Sequence, residues 1–167
     1  MHTNQSTTAG RRTTSGKTGS DAITLLIDDH NKVKKMFKEY EKLSKNNDEE
    51  KKEALATQIC KELTVHAQLE EEIFYPAVRE GIDDDALMNE AMVEHAEAKG
   101  LIAQIQSMHA SNSLYDATVK VLGENIEHHI EEEQKDMFPK VKKLKLDLDE
   151  LGLEMAERKE SLMEKQE

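Results

Sequence analysis

The sequence contains few of the residues that interrupt helices or cross-link chains. Its 167 residues include two prolines, seven glycines and one cysteine, and they include no tryptophan. Because proline and glycine are the residues least favourable in helix interiors, their scarcity favours a mostly helical protein. The single cysteine, Cys60, cannot form an internal disulfide, which fits a reducing compartment.

Long apolar runs and basic stripes are also missing. No stretch approaches the roughly 18 apolar residues of a membrane span, and no signal peptide is visible. Acidic residues outnumber basic ones by 35 to 23, and the formal net charge of −12 argues against a nucleic-acid partner. We therefore expect a cytoplasmic protein that engages neither membranes nor nucleic acids. No feature of the sequence indicates an oligomeric state.

The chain divides into a tail, a helical domain and an extension. Residues 1–20 are mostly Thr, Ser, Gly and Asn, and they predict a disordered tail. Residues 21–145 carry four apolar stripes of helical period, which predict helices over about 21–43, 49–75, 84–110 and 114–138. Short connections between such helices favour an all-α, antiparallel up-down four-helix bundle. Residues 146–167 predict a charged helical extension, and the sequence leaves open whether it packs as a fifth helix or projects.

Three residues mark the expected helix ends. Ser20 is expected to cap the first helix. Pro76 lacks an amide donor and is expected to disturb the second helix, and Gly81 is expected to finish the connection that follows.

Two segments of the chain share one motif. His66 stands four residues before Glu70 and ten residues before Pro76, with an aromatic residue just ahead of the proline. The second copy has the same spacing, and its members are His129, Glu133 and Pro139. Since residues four apart lie on one face of a helix, each segment can direct an imidazole and a carboxylate at one point.

The repeat extends to the other two predicted helices. Alignment of the two halves of the chain lays His30 on His95, so each half supplies two histidines and one glutamate. A doubled helix hairpin of this kind predicts pseudo-two-fold symmetry. Such symmetry suits a pair of metal ions, one served by each half.

The alternative to a metal site is a set of hydrogen-bonded core histidines. A single histidine on an apolar stripe, such as His30, usually has that explanation. Four predicted helices each carry one here, and two add a glutamate, so burying them without a cation would cost many kcal/mol. His128 and Glu132 form a competing pair about 100° around the helix, but alignment of the prolines selects His129 and Glu133. His2 and His109 are expected to be solvated.

The donor types restrict the metal. Imidazoles and carboxylates without a thiolate do not form a closed tetrahedral zinc site. Four histidines and two bridging glutamates leave room on two metals for an oxo or hydroxo bridge and an open position. Such a set in a bundle core fits iron first and manganese second.

These residues resemble the hemerythrin-like (HHE cation-binding) family. The resemblance covers about residues 20–144 and includes the aromatic-proline sequences at Pro76 and Pro139. It implies a four-helix bundle around a non-haem di-iron centre that binds dioxygen or a related small ligand. It also implies that His30 and His66 serve one iron, that His95 and His129 serve the other, and that Glu70 and Glu133 bridge them.

The sequence departs from the oxygen-carrying members of that family. They have a further histidine where this chain has Ala91, and their second bridging carboxylate lies five residues after its histidine, whereas Glu133 lies four after His129. The two irons are therefore expected to be more nearly equivalent than in a carrier. This disfavours oxygen transport and favours a protein that senses or buffers oxygen, nitric oxide or iron.

Two other functions stay open from the sequence. One is a di-iron enzyme that consumes peroxide or acts as an oxidase, which needs a proton donor near the metals. No uncoordinated His, Tyr or Glu is clearly placed on the apolar stripes to serve as that donor. The other is a structural bundle without metal, which iron analysis would identify.

Overall fold

The computed structural model describes residues 21–166, and the tail predicted to be disordered lies outside this range. Residues 21–166 contain helices and no strand, which confirms the all-α prediction. The helices are α1 (Ala22–Asn46), α2 (Glu49–Leu69), α3 (Tyr75–Ile82), α4 (Asp85–Gln106), α5 (Tyr115–Glu132), α6 (Phe138–Lys142) and α7 (Leu148–Lys165).

Four of these helices begin with the same cap. Asp21, Asp48, Asp84 and Asp147 each accept a hydrogen bond from the backbone amide three residues later. This bond satisfies one of the amides that a helix leaves without an intrahelical acceptor at its N-terminus. The expected cap at Ser20 is thus wrong by one residue, because the Asp21 carboxylate accepts from Thr24 at 2.7 Å.

The two prolines follow π-helical turns and do not end their helices. A π turn over Glu70–Phe74 joins α2 to α3, and a second over Glu133–Met137 joins α5 to α6. The wider turn accommodates a residue that has no amide donor, and the helical path continues beyond it. The connection expected to finish at Gly81 instead ends at Asp83, which adopts the left-handed conformation with φ 49°.

Helices α1, α2, α4 and α5 surround the centre of the molecule. α1 packs against α2 and α5, and α4 packs against the same two helices. Their buried apolar residues form two clusters, one that includes Leu26 and Leu69 and one that includes Val33 and Leu63. His30 lies between Leu26 and Val33 on α1, so a layer of polar residues separates the two apolar clusters.

The C-terminal segment packs on the bundle. α7 lies against α1 and α2 and buries Met155 and Leu162 in the first apolar cluster. Of the alternatives that the sequence leaves open, the structure therefore has the packed fifth helix. Each helix in the described range is too short or too polar to cross a lipid bilayer.

Candidate metal centre

Six buried side chains meet in the polar layer. α1, α2, α4 and α5 contribute one histidine each, and the first residue of each π turn contributes a glutamate. The residues are His30, His66, Glu70, His95, His129 and Glu133, and none is more than 8% exposed. The structure thus brings together all six residues that the sequence selects. We call His30 and His66 the first histidine pair, and His95 and His129 the second.

Each glutamate lies between the two histidine pairs. Glu70 Oε1 is 3.2 Å from His66 Nε2 and 3.2 Å from His95 Nε2. Glu133 places Oε1 3.1 Å from His30 Nε2 and Oε2 3.1 Å from His129 Nε2. Both carboxylates therefore contact one imidazole of each pair, and each would offer oxygen donors to a metal held at either pair.

Several of these atoms have no hydrogen-bond partner. Among the described residues, the buried atoms without one include His30 Nε2, His66 Nε2, both oxygens of Glu70 and Glu133 Oε1. The short contacts above bring these atoms close without the geometry of a hydrogen bond. Because an unsatisfied buried polar atom costs roughly 1–3 kcal/mol, five at one point need another partner. Nitrogen and carboxylate donors fit a divalent or trivalent metal ion there.

The outer nitrogen of each imidazole is held by a second residue. The Nδ1 atoms of His66 and His129 donate to Asp29 and Glu94, each over 3.0 Å. His30 Nδ1 donates to the Gln134 amide oxygen over 2.8 Å, and His95 Nδ1 to Glu71 over 3.2 Å. Such bonds fix the tautomer and direct every Nε2 lone pair inward, as metal-binding histidines require.

The charges inside the centre are strongly coupled. Burial opposes charging of His66, but the Glu70 and Asp29 carboxylates outweigh it and raise the pKa of this imidazole to about 10. Burial likewise disfavours the charged form of Glu70, yet His66 and neighbouring donors hold the pKa of this carboxyl well below its ordinary value. Without a metal these carboxylates therefore favour a protonated His66, and a bound metal would take the place of that proton.

The sequence-based expectation of no suitably placed donor is wrong at Tyr75. The Tyr75 hydroxyl donates to Glu133 Oε2 over 2.7 Å and lies 3.3 Å from the Nε2 atoms of both His95 and His129. Burial and the Glu133 and Glu70 carboxylates raise the pKa of Tyr75 well above its ordinary value, which favours a protonated hydroxyl. The signal in the sequence is the mismatch in the repeat, since Phe138 occupies the position equivalent to Tyr75.

A cavity of about 150 Å³ opens beside the centre. All four histidines and Glu70 line it, together with the polar residues Asp29, Thr64, Glu94, Lys99 and Asn125. The apolar part of the lining includes Val33, Leu63, Ala98, Ile102, Ile126 and Ile130. Since one water molecule needs only about 15 Å³ by the same kind of measure, the cavity has room for a small diatomic ligand. The apolar part of the lining suits a neutral ligand better than a charged one.

The competing pair lies on the outside of the centre. The His128 side chain is 64% exposed, and its Nε2 is 3.3 Å from Glu132 and 3.6 Å from Glu94. These three residues form a separate, more exposed group. His109 also lies on the surface, where it contacts Glu53, and His2 falls outside the described residues. The helix register chosen from the prolines thus places His129 and Glu133 inside.

Comparisons with known proteins agree with this architecture. The chain is 33% identical over 114 residues to a DNA nickase from Nostoc sp., covering 68% of this chain and 31% of that protein. It thus spans about a third of that relative's length. A crystal structure of a hemerythrin HHE cation binding domain-containing protein from Mycobacterium kansasii superposes with a TM-score of 0.73, at 25% identity, covering 87% of this chain and 89% of that one. The model of the hemerythrin HHE cation binding domain matches residues 21–141, and the chain belongs to this family.

Proposed function

We propose that this protein is a non-haem di-iron binding protein whose centre binds dioxygen or a related small ligand, such as nitric oxide, and thereby senses or buffers oxygen, nitric oxide or iron. The family assignment and the His/Glu clusters support metal binding in general. The observation that carries the finer proposal is the set of five unpartnered, buried donor atoms directed at one point.

The ligand set favours two ions over one. The donor atoms form two groups, one of His30, His66 and Glu133 and one of Glu70, His95 and His129. Each group offers two nitrogens and one oxygen, which is too few donors for a closed site and leaves positions for a small ligand. Nitrogen and oxygen donors of this kind suit iron first and manganese second. When bound, a pair of irons would supply redox chemistry that these side chains alone lack.

The protein's own residues determine what reaches the centre. The apolar cavity admits a small neutral molecule to the four inward-facing Nε2 atoms. The centre lies between two apolar clusters, and its six side chains are at most 8% exposed, which limits their contact with bulk water. These features match dioxygen and nitric oxide, which are small and uncharged.

Ligand binding can be tested by obstructing the cavity. The absorption spectrum of the reduced, iron-loaded protein should change when dioxygen or nitric oxide is added in an amount equal to that of the protein. Ala98 is buried and lines the cavity, so Ala98→Leu should slow this change and leave iron content unaltered. Ala96 is exposed on the same helix, and Ala96→Leu is the matched control. Equal rates for the two variants would contradict entry through this cavity.

A di-iron enzyme that consumes peroxide or acts as an oxidase is the second candidate, favoured by one observation. The Tyr75 hydroxyl lies within 3.3 Å of His95 Nε2, His129 Nε2 and Glu133 Oε2. It could therefore hold or deliver a proton at the centre. If the protein turns over hydrogen peroxide, Tyr75→Phe should lower that rate by about 100-fold while iron is retained, since general acids typically contribute that much. Absence of turnover in the iron-loaded wild type would remove this candidate.

Three further features accompany the proposal. We infer an antiparallel up-down bundle with pseudo-two-fold symmetry, which the pairing of α1, α2, α4 and α5 supports. A cytoplasmic location and the division into a domain over 21–145 and an extension over 146–167 stay predictions. DNA cleavage by this chain has no support, because the chain matches only 31% of the Nostoc relative and carries a net charge of −12.

A further inference from the structure

The residues around the two histidine pairs occupy equivalent positions in the sequence repeat. Asp29 and Glu94 each stand directly before the histidine of their own helix, and they accept from His66 and His129. Glu71 and Gln134 each stand directly after a bridging glutamate, and they accept from His95 and His30. The hydrogen bonds on the outer side of the centre therefore repeat along with the donor residues.

The chemical nature of these partners does not repeat. In the second histidine pair, His95 donates to the Glu71 carboxylate. In the first pair, His30 donates to the uncharged amide of Gln134, which is the residue equivalent to Glu71. When a carboxylate accepts the hydrogen bond from Nδ1–H, it makes Nε2 a stronger ligand for a metal than an amide oxygen would. On this difference alone, the second pair should hold a cation more tightly.

The lysines near the hydrogen-bond partners of the two histidine pairs increase the difference in charge between these partners. Lys159 of α7 pairs with Asp29, so the charged partners of the first pair, one carboxylate and one ammonium, are formally neutral. Lys99 pairs with Glu71, but within residues 21–166 no Lys or Arg forms an ion pair with Glu94. Glu71, Glu94 and Lys99, the charged groups beside the second histidine pair, therefore keep one net negative charge. Lys99 is also 57% exposed against 30% for Lys159, so water screens it more.

We propose that the two metal positions are inequivalent, that the position at His95 and His129 is the tighter one, and that Glu71, Gln134 and Lys159 set this order. The inference rests on the proposed two-metal function and adds an order of affinity to the expectation that the two ions are more nearly equivalent than in an oxygen carrier. It makes α7 part of the centre, because Lys159 acts on His66 through Asp29 as a positioning residue. The first position would be the one that loads last and loses its ion first.

Stepwise binding of Mn²⁺ to the metal-free full-length protein tests this order. Free Mn²⁺ is followed by its electron paramagnetic resonance signal under anaerobic conditions, which yields one dissociation constant for each step. Two neighbouring cations repel each other, so even equal positions would bind in two steps. The decisive evidence is which step each variant changes.

Glu71→Gln and Gln134→Glu should act on opposite steps. If the second histidine pair is tighter, Glu71→Gln weakens the first step by roughly 10- to 100-fold and leaves the second nearly unchanged. Gln134→Glu then strengthens the second step and changes the first little. If the positions are equal, or the first pair is tighter, the pattern reverses: Glu71→Gln weakens the second step, and Gln134→Glu strengthens the first.

Three further variants complete the test, one as a control for general charge and two that change Lys159. Glu72→Gln removes the same charge next to Glu71, but Glu72 pairs with Arg158 on the surface, and both steps should stay unchanged. Lys159→Gln should strengthen the second step, and Lys159→Arg should restore the wild-type value. Two bound Mn²⁺ with the reversed pattern would overturn this inference and leave the two-metal proposal standing. No bound Mn²⁺ or Fe²⁺ at all would overturn both.

Discussion

At the scale of single residues, Glu70 and Glu133 are buried more completely than the four histidines around them. Both are at most 1% exposed, and each contacts an imidazole of both histidine pairs. A buried carboxylate needs a compensating positive charge, and two of them between four neutral imidazoles would supply the negative charge that offsets the metals.

Glu70→Gln and Glu133→Gln should each lose at least one iron per chain. The amide keeps the size of the side chain but removes the charge that offsets the metals. Metal analysis of the purified variants measures the loss. Glu132→Gln is the matched control, because it makes the same change on the outer side of α5. His128→Gln removes the histidine paired with Glu132, and both variants should keep the iron content of the wild type. If these two variants lose iron and the first two do not, the assignment of the bridging residues is wrong.

The sequence was sufficient to select the six side chains that meet in the polar layer, but it did not select Tyr75. His66 and Glu70, like His129 and Glu133, lie four residues apart on an apolar stripe, which is about one helical turn. His30 and His95 follow from the alignment of the two halves of the chain. Tyr75 reaches the centre from within an aromatic-proline sequence, five residues after Glu70, and its amide bonds to the Glu70 carbonyl across the π turn. Because helical periodicity assumes α geometry, it places such a residue on the wrong face.

At the scale of helices, the sequence predicts which helices exist better than it predicts where they end. The apolar stripes located α1, α2, α4 and α5, since packing against a core imposes that period. The continuation of the helical path through Pro76 to Ile82 was not predicted. A missing amide donor ordinarily ends a helix, and the π turn that tolerates it here depends on tertiary packing around Phe74 and Tyr75.

The packing of α7 gives a prediction at this scale. Met155 is fully buried in the first apolar cluster, whereas Leu153 on the same helix is 52% exposed. Met155→Ala should lower the free energy of unfolding by about 2–5 kcal/mol, because it leaves a cavity in the core. Leu153→Ala should change it by no more than about 0.5 kcal/mol. Denaturant unfolding of both variants measures the difference, and equal small effects would mean that α7 does not pack on the bundle.

At the scale of the whole molecule, the polar layer links the metal to the fold. Two apolar clusters flank the donor residues, so the helices keep much of their packing without metal. A metal that binds only the native state stabilises it by mass action, by about 4 kcal/mol at a thousandfold excess over the dissociation constant. Chelation should therefore lower the melting temperature and preserve most of the helical signal.

The stability of the metal-free protein and the stabilisation by bound metal should depend on pH with opposite signs. In the metal-free protein the pKa of His66 rises from 6.5 to about 10, so its contribution to stability is complete below pH 6.5 and disappears as pH rises toward 10. Metal binding requires neutral imidazoles, so its contribution decreases as pH falls. The melting temperatures of the metal-free and iron-loaded forms should therefore diverge from pH 6 to pH 8. A constant difference across this range would show that these histidines do not bind the metal.

The most direct measurement is the metal content of the purified protein, taken with its absorption spectrum before and after exposure to air. Six donor residues in two groups of three predict two irons per chain. We expect near-ultraviolet charge-transfer bands to develop on oxidation of the anaerobic, reduced sample. One metal per chain, or full occupancy by zinc with no affinity for iron, would contradict the di-iron centre.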